Sequence, residues 1–194
     1  MLVRTQLCSV LFLIGISAVL SQVTGTGNCP AHPVVSNFDW RKFAGKWYEI
    51  ERFFAIFEVG KKCVTSEYSE LPGGDIRVVN RGINKWTKKD KLEIGRATHF
   101  HNEPAKFDVT FPTGIFFPKR LEIWVLDTDY SNYAVLWSCK KFLWFFHRQY
   151  AWILSKERTL TEDARIKLYE KLEELNVNTN KFYLTDQANC PDGH

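Results

Sequence analysis

Cysteines are the residues of this sequence most able to do chemistry, and their spacing predicts disulfide bonds. Cys8 lies in an apolar N-terminal segment, which leaves Cys29, Cys63, Cys139 and Cys190. These four are too widely spaced for a zinc site, which needs close Cys-x-x-Cys pairs. An even set is typical of proteins from oxidising compartments. We therefore expect two disulfides, for which three pairings are possible.

The other chemistry-bearing residues form no catalytic motif. The sequence lacks a Gly-x-Ser-x-Gly elbow, a phosphate-binding Gly-rich loop and a His-Glu-x-x-His helix. Oxidised cysteines leave no thiol nucleophile. His99 and His101 flank Phe100 at strand spacing; they could share a metal, but a solvated strand edge is the interpretation we favour. We expect no catalytic residue, no metal and no required cofactor, and predict that this is not an enzyme.

The N-terminal segment has the features of a secretory signal. Arg4 precedes an apolar run over residues 8–20, which is short for a membrane span, and Ser21 offers a cleavage position. We predict a signal peptide over residues 1–21, one domain over residues 22–194, and an extracellular location. The formal net charge of +4 is too small to favour nucleic-acid binding.

Eight strand-like segments are separated by short turns, and several of them alternate between apolar and polar residues with period two. The sixth and seventh segments are apolar on both faces, so their inward side is not assigned. The predicted strands are 45–54, 63–71, 75–83, 91–100, 106–111, 121–127, 133–139 and 150–155. Thr161 is a candidate N-cap for one following helix, whose leucines should pack on the outside of the sheet. A last short strand is predicted within residues 181–185. The pattern indicates an antiparallel all-β sandwich or barrel.

If the strands close as an up-and-down barrel, alternate connections lie at the same end. One end then collects residues from three separate segments, namely Gly45, Trp47, Thr128, Asp129, Tyr130 and Arg158. We expect Arg158 to lie over the ring of Trp47 in a cation–π contact.

These three segments, in this order, resemble the signature regions of the lipocalin family. Residues 151–154 and the tail 185–191 are similar to the apolipoprotein D and Lazarillo branch, which includes insect bilin-binding relatives. The resemblance implies an eight-stranded antiparallel up-and-down barrel that holds one small apolar ligand, with one flanking C-terminal α-helix. It also implies the disulfides Cys29–Cys139 and Cys63–Cys190. Phe117 replaces a methionine of some relatives, so we expect no methionine-based reduction of lipid peroxides.

Strand alternation predicts the wall of the binding cavity. The predicted ligand-binding residues are Val64, Tyr68, Phe107, Val109, Phe111, Tyr150, Trp152 and Leu154. The resemblance implies that Tyr68 and Trp152 line the family's pocket. Such an aromatic wall suits a bilin, a fatty acid, a sterol or a retinoid. The alternative is that these rings only fill the core.

Loops at the opposite end of the predicted barrel have apolar tips flanked by lysines and arginines. The apolar residues of this rim are Phe53, Phe54, Phe57, Trp86, Phe116, Phe117, Phe142, Trp144, Phe145 and Phe146. Apolar loop tips call for an explanation. One hypothesis is that the rim docks on a lipid surface or lipoprotein particle, where the ligand is exchanged. The other is that the loops fold over each other as a lid.

The function predicted from these features is that of a secreted carrier of one small hydrophobic ligand. A recognition or signalling surface protein, in which the pocket is incidental, is the alternative. An enzyme that acts on a lipid is the weaker third possibility. The sequence favours no particular ligand or oligomeric state, since apolar pockets discriminate weakly.

Overall fold

One antiparallel sheet of ten strands forms the body of the protein. The computed structural model describes residues 23–100, 102–112 and 119–194. The strands are β1 (Val23–Thr26), β2 (Gly45–Phe53), β3 (Lys61–Glu70), β4 (Ile76–Asn84), β5 (Asp90–Phe100), β6 (Glu103–Phe111), β7 (Lys119–Thr128), β8 (Tyr133–Phe142), β9 (Phe146–Ser155) and β10 (Phe182–Leu184). Strands β2 to β9 pair in sequence, and β9 also pairs with β2. This closure confirms the predicted eight-stranded barrel.

Two short strands extend the barrel sheet, and some predicted features lie outside the described residues. β1 was not predicted and extends the sheet by pairing with β9, whereas β10 lies where the last short strand was expected and pairs with β2. The predicted signal peptide, His101, and the rim residues Phe116 and Phe117 lie outside the described residues.

The longer helix packs on the outside of the barrel, as predicted. Helix α1 (Trp40–Phe43) precedes β2, and helix α2 (Glu162–Glu174) follows β9; the 3₁₀ turns are Ile56–Glu58 and Thr179–Lys181. The Thr161 hydroxyl caps α2 by accepting a hydrogen bond from the Ala164 amide at 3.3 Å. Leu168 and Leu172 bury the apolar stripe of the helix.

No helix within the described residues is long and apolar enough to span a membrane.

Strand alternation separates two apolar cores. In β6, Phe107, Val109 and Phe111 are buried inside the barrel. In β8, Leu136 points inward, while Trp137 joins Leu168 and Leu172 in an outer core beneath α2. The inner core therefore surrounds the cavity, and the outer core holds the helix.

A β-bulge in β2 reverses the strand alternation near the barrel mouth. The pairing of β2 with β9 shifts between Glu49 and Glu51. Glu49 faces the cavity, whereas Glu51 accepts a hydrogen bond from the Tyr169 hydroxyl of α2 on the outside. Phe53 consequently lies in the outer core, with its ring 4.6 Å from that of Phe182. The prediction that Phe53 belongs to the rim is wrong, because an inserted residue moves later side chains to the other face.

The C-terminal segment completes the barrel wall between β2 and β3. These strands pair only as far as Tyr48 and Thr65. Beyond that point, the Gln187 amide donates hydrogen bonds of 2.8 Å to the carbonyls of Glu49 and Val64. The disulfide Cys63–Cys190 fastens this segment, and Cys29–Cys139 fastens the N-terminal segment to β8. Both pairs are those implied by the resemblance.

Candidate ligand-binding site

The closed end of the barrel is built on Trp47. Its buried indole donates a hydrogen bond of 2.8 Å to the carbonyl of Phe43, and the two rings stack with centroids 5.1 Å apart. Gly45 starts the strand with φ of +98°, a conformation that favours glycine. Asp39 caps α1, since its carboxylate accepts the amides of Arg41 and Lys42.

Lys156, and not Arg158, covers the Trp47 ring. The Lys156 ammonium lies 3.9 Å from the ring centroid and donates to the carbonyl of Ala44 at 3.0 Å. Burial lowers the pKa of this ammonium. Arg158 instead lies 4.8 Å from the ring centroid of Tyr48 and donates to the His194 carbonyl. The cation–π prediction therefore chose the right ring and the wrong cation, because spacing after a strand does not determine how the chain turns.

The turn from Thr128 to Tyr130 meets this end as predicted. The Tyr130 hydroxyl accepts a hydrogen bond from the Asp39 amide at 3.1 Å. Partial burial acts to raise the pKa of Asp129, but hydrogen bonds from the amides of Tyr133 and Asn132 bring it below its ordinary value. The turn thus carries a fixed negative charge and ties β7 and β8 to α1.

A cavity of about 750 Å³, counted with the space that opens to solvent, occupies the barrel interior. Seven of the eight predicted ligand-binding residues line it, namely Val64, Tyr68, Phe107, Val109, Phe111, Trp152 and Leu154. The sequence missed Leu121, Ile123 and Leu136, because β7 and β8 are apolar on both faces.

Tyr150 is the predicted residue that the cavity does not reach. Its ring packs between Phe57, at 5.5 Å, and Trp152, at 6.1 Å between centroids. Phe57 was expected in the exposed rim, but it is half-buried and lines the cavity mouth. The loop between β2 and β3 therefore folds partly into the barrel, and the Phe57 ring covers Tyr150 on the cavity side.

A buried polar network lies at the same side of the cavity. Arg52 contacts the carboxylates of Glu49 and Glu58, each at 2.9 Å. The Thr185 hydroxyl donates to Glu49 at 2.5 Å, and the Trp152 indole donates to Glu58 at 3.3 Å. Burial, followed by the charge of Glu58, raises the pKa of Glu49 to about 8. One arginine therefore faces two buried acids, one of which binds a proton near neutral pH.

The remaining charged residues of the lining were also missed by the sequence analysis. They are Lys61, Arg81, Lys91 and Glu93. The sequence did contain a signal for Glu49, because the alternation of a strand places Glu49 on the same inner face as Trp47. Glu58 lies in a 3₁₀ turn outside any strand, where no periodicity marks a facing direction.

Part of the predicted rim lies in loops at the open end and is exposed to solvent. The side chains of Leu143, Trp144 and Phe145 are 74%, 95% and 71% exposed, and that of Trp86 is 70% exposed. Phe146 is exposed, whereas Phe54 and Phe142 are half-buried. The Lys85 amide donates to the Gly60 carbonyl at 2.7 Å, which joins the loops after β2 and β4.

Within the described residues, no three His, Cys, Asp or Glu side chains come together in a group that could hold a metal ion.

A closed antiparallel barrel with an interior cavity and a helix on its flank defines a class of small-molecule-binding proteins. The model of the lipocalin / cytosolic fatty-acid binding protein family matches residues 44–189, and the chain belongs to the lipocalin family. It is 40% identical to apolipoprotein D of Cavia porcellus over 167 residues, or 86% of each chain.

Two further comparisons extend the likeness to insect proteins. The Lazarillo protein of Schistocerca americana is 29% identical over 192 residues, covering 96% of this chain and 87% of that protein. The structure of insecticyanin from the tobacco hornworm Manduca sexta superposes with a TM-score of 0.77 at 27% identity, covering 87% of this chain and 90% of that one. The predicted resemblance to this branch is confirmed.

Proposed function

We propose that this protein is a carrier that holds one small hydrophobic ligand inside its barrel. The observation that carries the proposal is the cavity, which is enclosed by apolar side chains of β6 to β9 and opens at one end. A bilin, fatty acid, sterol or retinoid matches these walls in polarity. The function is binding without a chemical step, so no residue is assigned a catalytic role.

Native mass spectrometry of the secreted, disulfide-intact protein tests the proposal. We expect one bound molecule per barrel, and extraction followed by an absorption spectrum separates a pigment from a colourless lipid. Val109→Trp should fill the cavity and abolish uptake, whereas Thr110→Trp, on the outer face of the same strand, should leave uptake unchanged. A barrel that takes up none of the four ligand classes would instead favour the recognition or signalling role.

We further propose that the open end docks on lipid surfaces. The exposed apolar tips stand beside the exposed lysines Lys85, Lys88, Lys89, Lys140 and Lys141. Apolar side chains can enter the interface while lysines meet anionic head groups. The exposure of Trp144 argues against a closed lid, because a lid would bury its aromatic tips.

Co-sedimentation with vesicles of phosphatidylcholine and phosphatidylserine tests docking. Trp144→Ser/Phe145→Ser should lose most of the binding. Ile94→Ser/Ile166→Ser removes exposed apolar side chains from the barrel side and from α2, and should bind like the wild type. Equal binding by all three proteins would refute docking through the rim.

An extracellular location is also proposed. Two disulfides support it, because such bonds persist in oxidising compartments. N-terminal sequencing of protein recovered from culture medium should begin at Gln22. Retention of residues 1–21 on the recovered protein would contradict the predicted cleavage.

A further inference from the structure

We propose that the closed end of the barrel carries a second binding site, which takes a small neutral molecule with an apolar ring and a carbonyl oxygen. The site lies outside the barrel cavity. This inference therefore goes beyond the proposed carrier function and does not depend on it.

The site is a cavity of about 450 Å³, counted with the space that opens to solvent, between α1 and the adjoining ends of β3 and β4. Tyr68 lines both this closed-end cavity and the barrel cavity, whose volume counted in the same way is about 750 Å³. Tyr68 therefore stands in the wall between the two, and the closed-end cavity suits the smaller ligand. Its other lining residues are Trp40, Arg41, Ala44, Ser69, Glu70 and Ile76.

The indole of Trp40 is a buried hydrogen-bond donor that the described part of the chain leaves without an acceptor. Trp86 and Trp144 are largely exposed. The remaining tryptophans each donate a hydrogen bond from the indole, namely Trp47, Trp124, Trp137 and Trp152. A buried donor without an acceptor is costly, so an oxygen that enters the cavity is stabilised by the indole of Trp40.

Packing holds the indole ring of Trp40 in place. Its centroid lies 4.7 Å from that of Phe107, 5.1 Å from that of Phe38 and 5.8 Å from that of Phe43. The Asp39 cap fixes the start of the helix that carries it. The ring cannot turn its N–H toward solvent without losing these contacts, so the donor is positioned before a ligand binds.

The charges at this cavity favour a neutral ligand. Within the described lining, only Arg41 and Glu70 are charged, and both residues are exposed. Their opposite charges cancel, and solvent screens each of them. Ala44, Tyr68 and Ile76 offer apolar contact. The matching ligand is therefore an uncharged ring with one acceptor oxygen.

Proton–nitrogen correlation NMR of the isotope-labelled protein tests the site with two probes of matched shape, acetophenone and α-methylstyrene. The ketone oxygen of acetophenone is replaced by a methylene group in α-methylstyrene. The indole signal that is lost in Trp40→Phe assigns the Trp40 resonance. We expect acetophenone to shift the Trp40 indole proton downfield until the site is saturated, as a new hydrogen bond does. We expect no downfield shift with α-methylstyrene.

A thermodynamic cycle measures the contribution of the indole N–H. The backbone amide signals of Ala44 and Ser69 report the binding of both probes. Trp40→Phe should weaken acetophenone binding by about fivefold more than α-methylstyrene binding, as for one neutral hydrogen bond. Trp124→Phe removes an indole N–H that packs against the outer core and should change neither affinity. Thermal unfolding confirms that each variant is folded.

Val109→Trp separates the two cavities, because Val109 lines the barrel cavity and not the closed-end cavity. The shift of the Trp40 proton should persist in this variant. Its loss would overturn the second site, since acetophenone would then act from the barrel cavity. Equal weakening of both probes in Trp40→Phe would also overturn it, as would an unchanged Trp40 proton up to the solubility limit of acetophenone. An empty barrel in native mass spectrometry would overturn the carrier function alone.

Discussion

Replacing Glu49 by glutamine should remove most of the change in stability between about pH 7 and about pH 9. Glu49 is 3% exposed, and its side chain contacts Arg52 and Thr185. Its pKa rises from the ordinary 4.5 to about 8, first because burial disfavours the charge and then because Glu58 is close. Glutamine keeps the size and the acceptor oxygen but cannot ionise.

The direction of the effect follows from proton binding. Between the two pKa values, the folded protein keeps a proton on Glu49 that the unfolded chain has released. The free energy of unfolding is therefore highest below about pH 4.5, falls as the pH rises, and levels off above about pH 8. This increase in the pKa of Glu49 corresponds to a decrease in the free energy of unfolding on the order of 3–5 kcal/mol over the whole pH range. About 1 kcal/mol of this decrease in the free energy of unfolding occurs above about pH 7.

Urea unfolding at several pH values measures this loss. Groups that titrate in both proteins cancel in the difference between wild type and Glu49→Gln. One such group is His32, whose pKa burial lowers and whose effect on stability has the opposite sign. Glu67→Gln, an exposed change on neighbouring β3, is the matched control and should follow the wild type. Parallel pH curves for wild type and Glu49→Gln would refute the assignment of the proton to Glu49.

Three other substitutions test the packing around the site. Cys63→Ser/Cys190→Ser should lower the free energy of unfolding by about 2–5 kcal/mol, measured with urea, because the segment that completes the barrel wall is released; no loss would show that the tail holds without its bond. Leu172→Ala should lower the free energy of unfolding by about 2–5 kcal/mol in the same assay, because this leucine of α2 is fully buried against the sheet. A change below about 1 kcal/mol would contradict that packing. Lys156→Met should lower the free energy of unfolding by about 1 kcal/mol and alter the fluorescence of Trp47, because the cation over the ring is lost. An unchanged spectrum and an unchanged stability would show that the contact is not formed.

Much of the barrel was predictable from local pattern. Alternation in β6 placed Phe107, Val109 and Phe111 on the inner face, and the leucine stripe of α2 placed Leu168 and Leu172 against the sheet. These assignments are correct because the buried face of a strand or helix must be apolar, and the spacing of apolar residues along the sequence identifies that face. The ordered signature segments added the closure of the sheet and the disulfide pairs.

Tertiary structure alone decided which side chains meet near the cavity mouth. The bulge after Glu49 sends Phe53 to the outer core, and the 3₁₀ turn brings Glu58 to Arg52. Neither feature can be recognised from the periodicity of the sequence, because a bulge interrupts the alternation of a strand and a loop has no alternation. The polar side of the cavity depends likewise on the pairing of β4 with β5, which sets Lys91 opposite Gly82. Sequence determined that a barrel with an apolar interior forms, whereas register and loop folding determined where its charges lie.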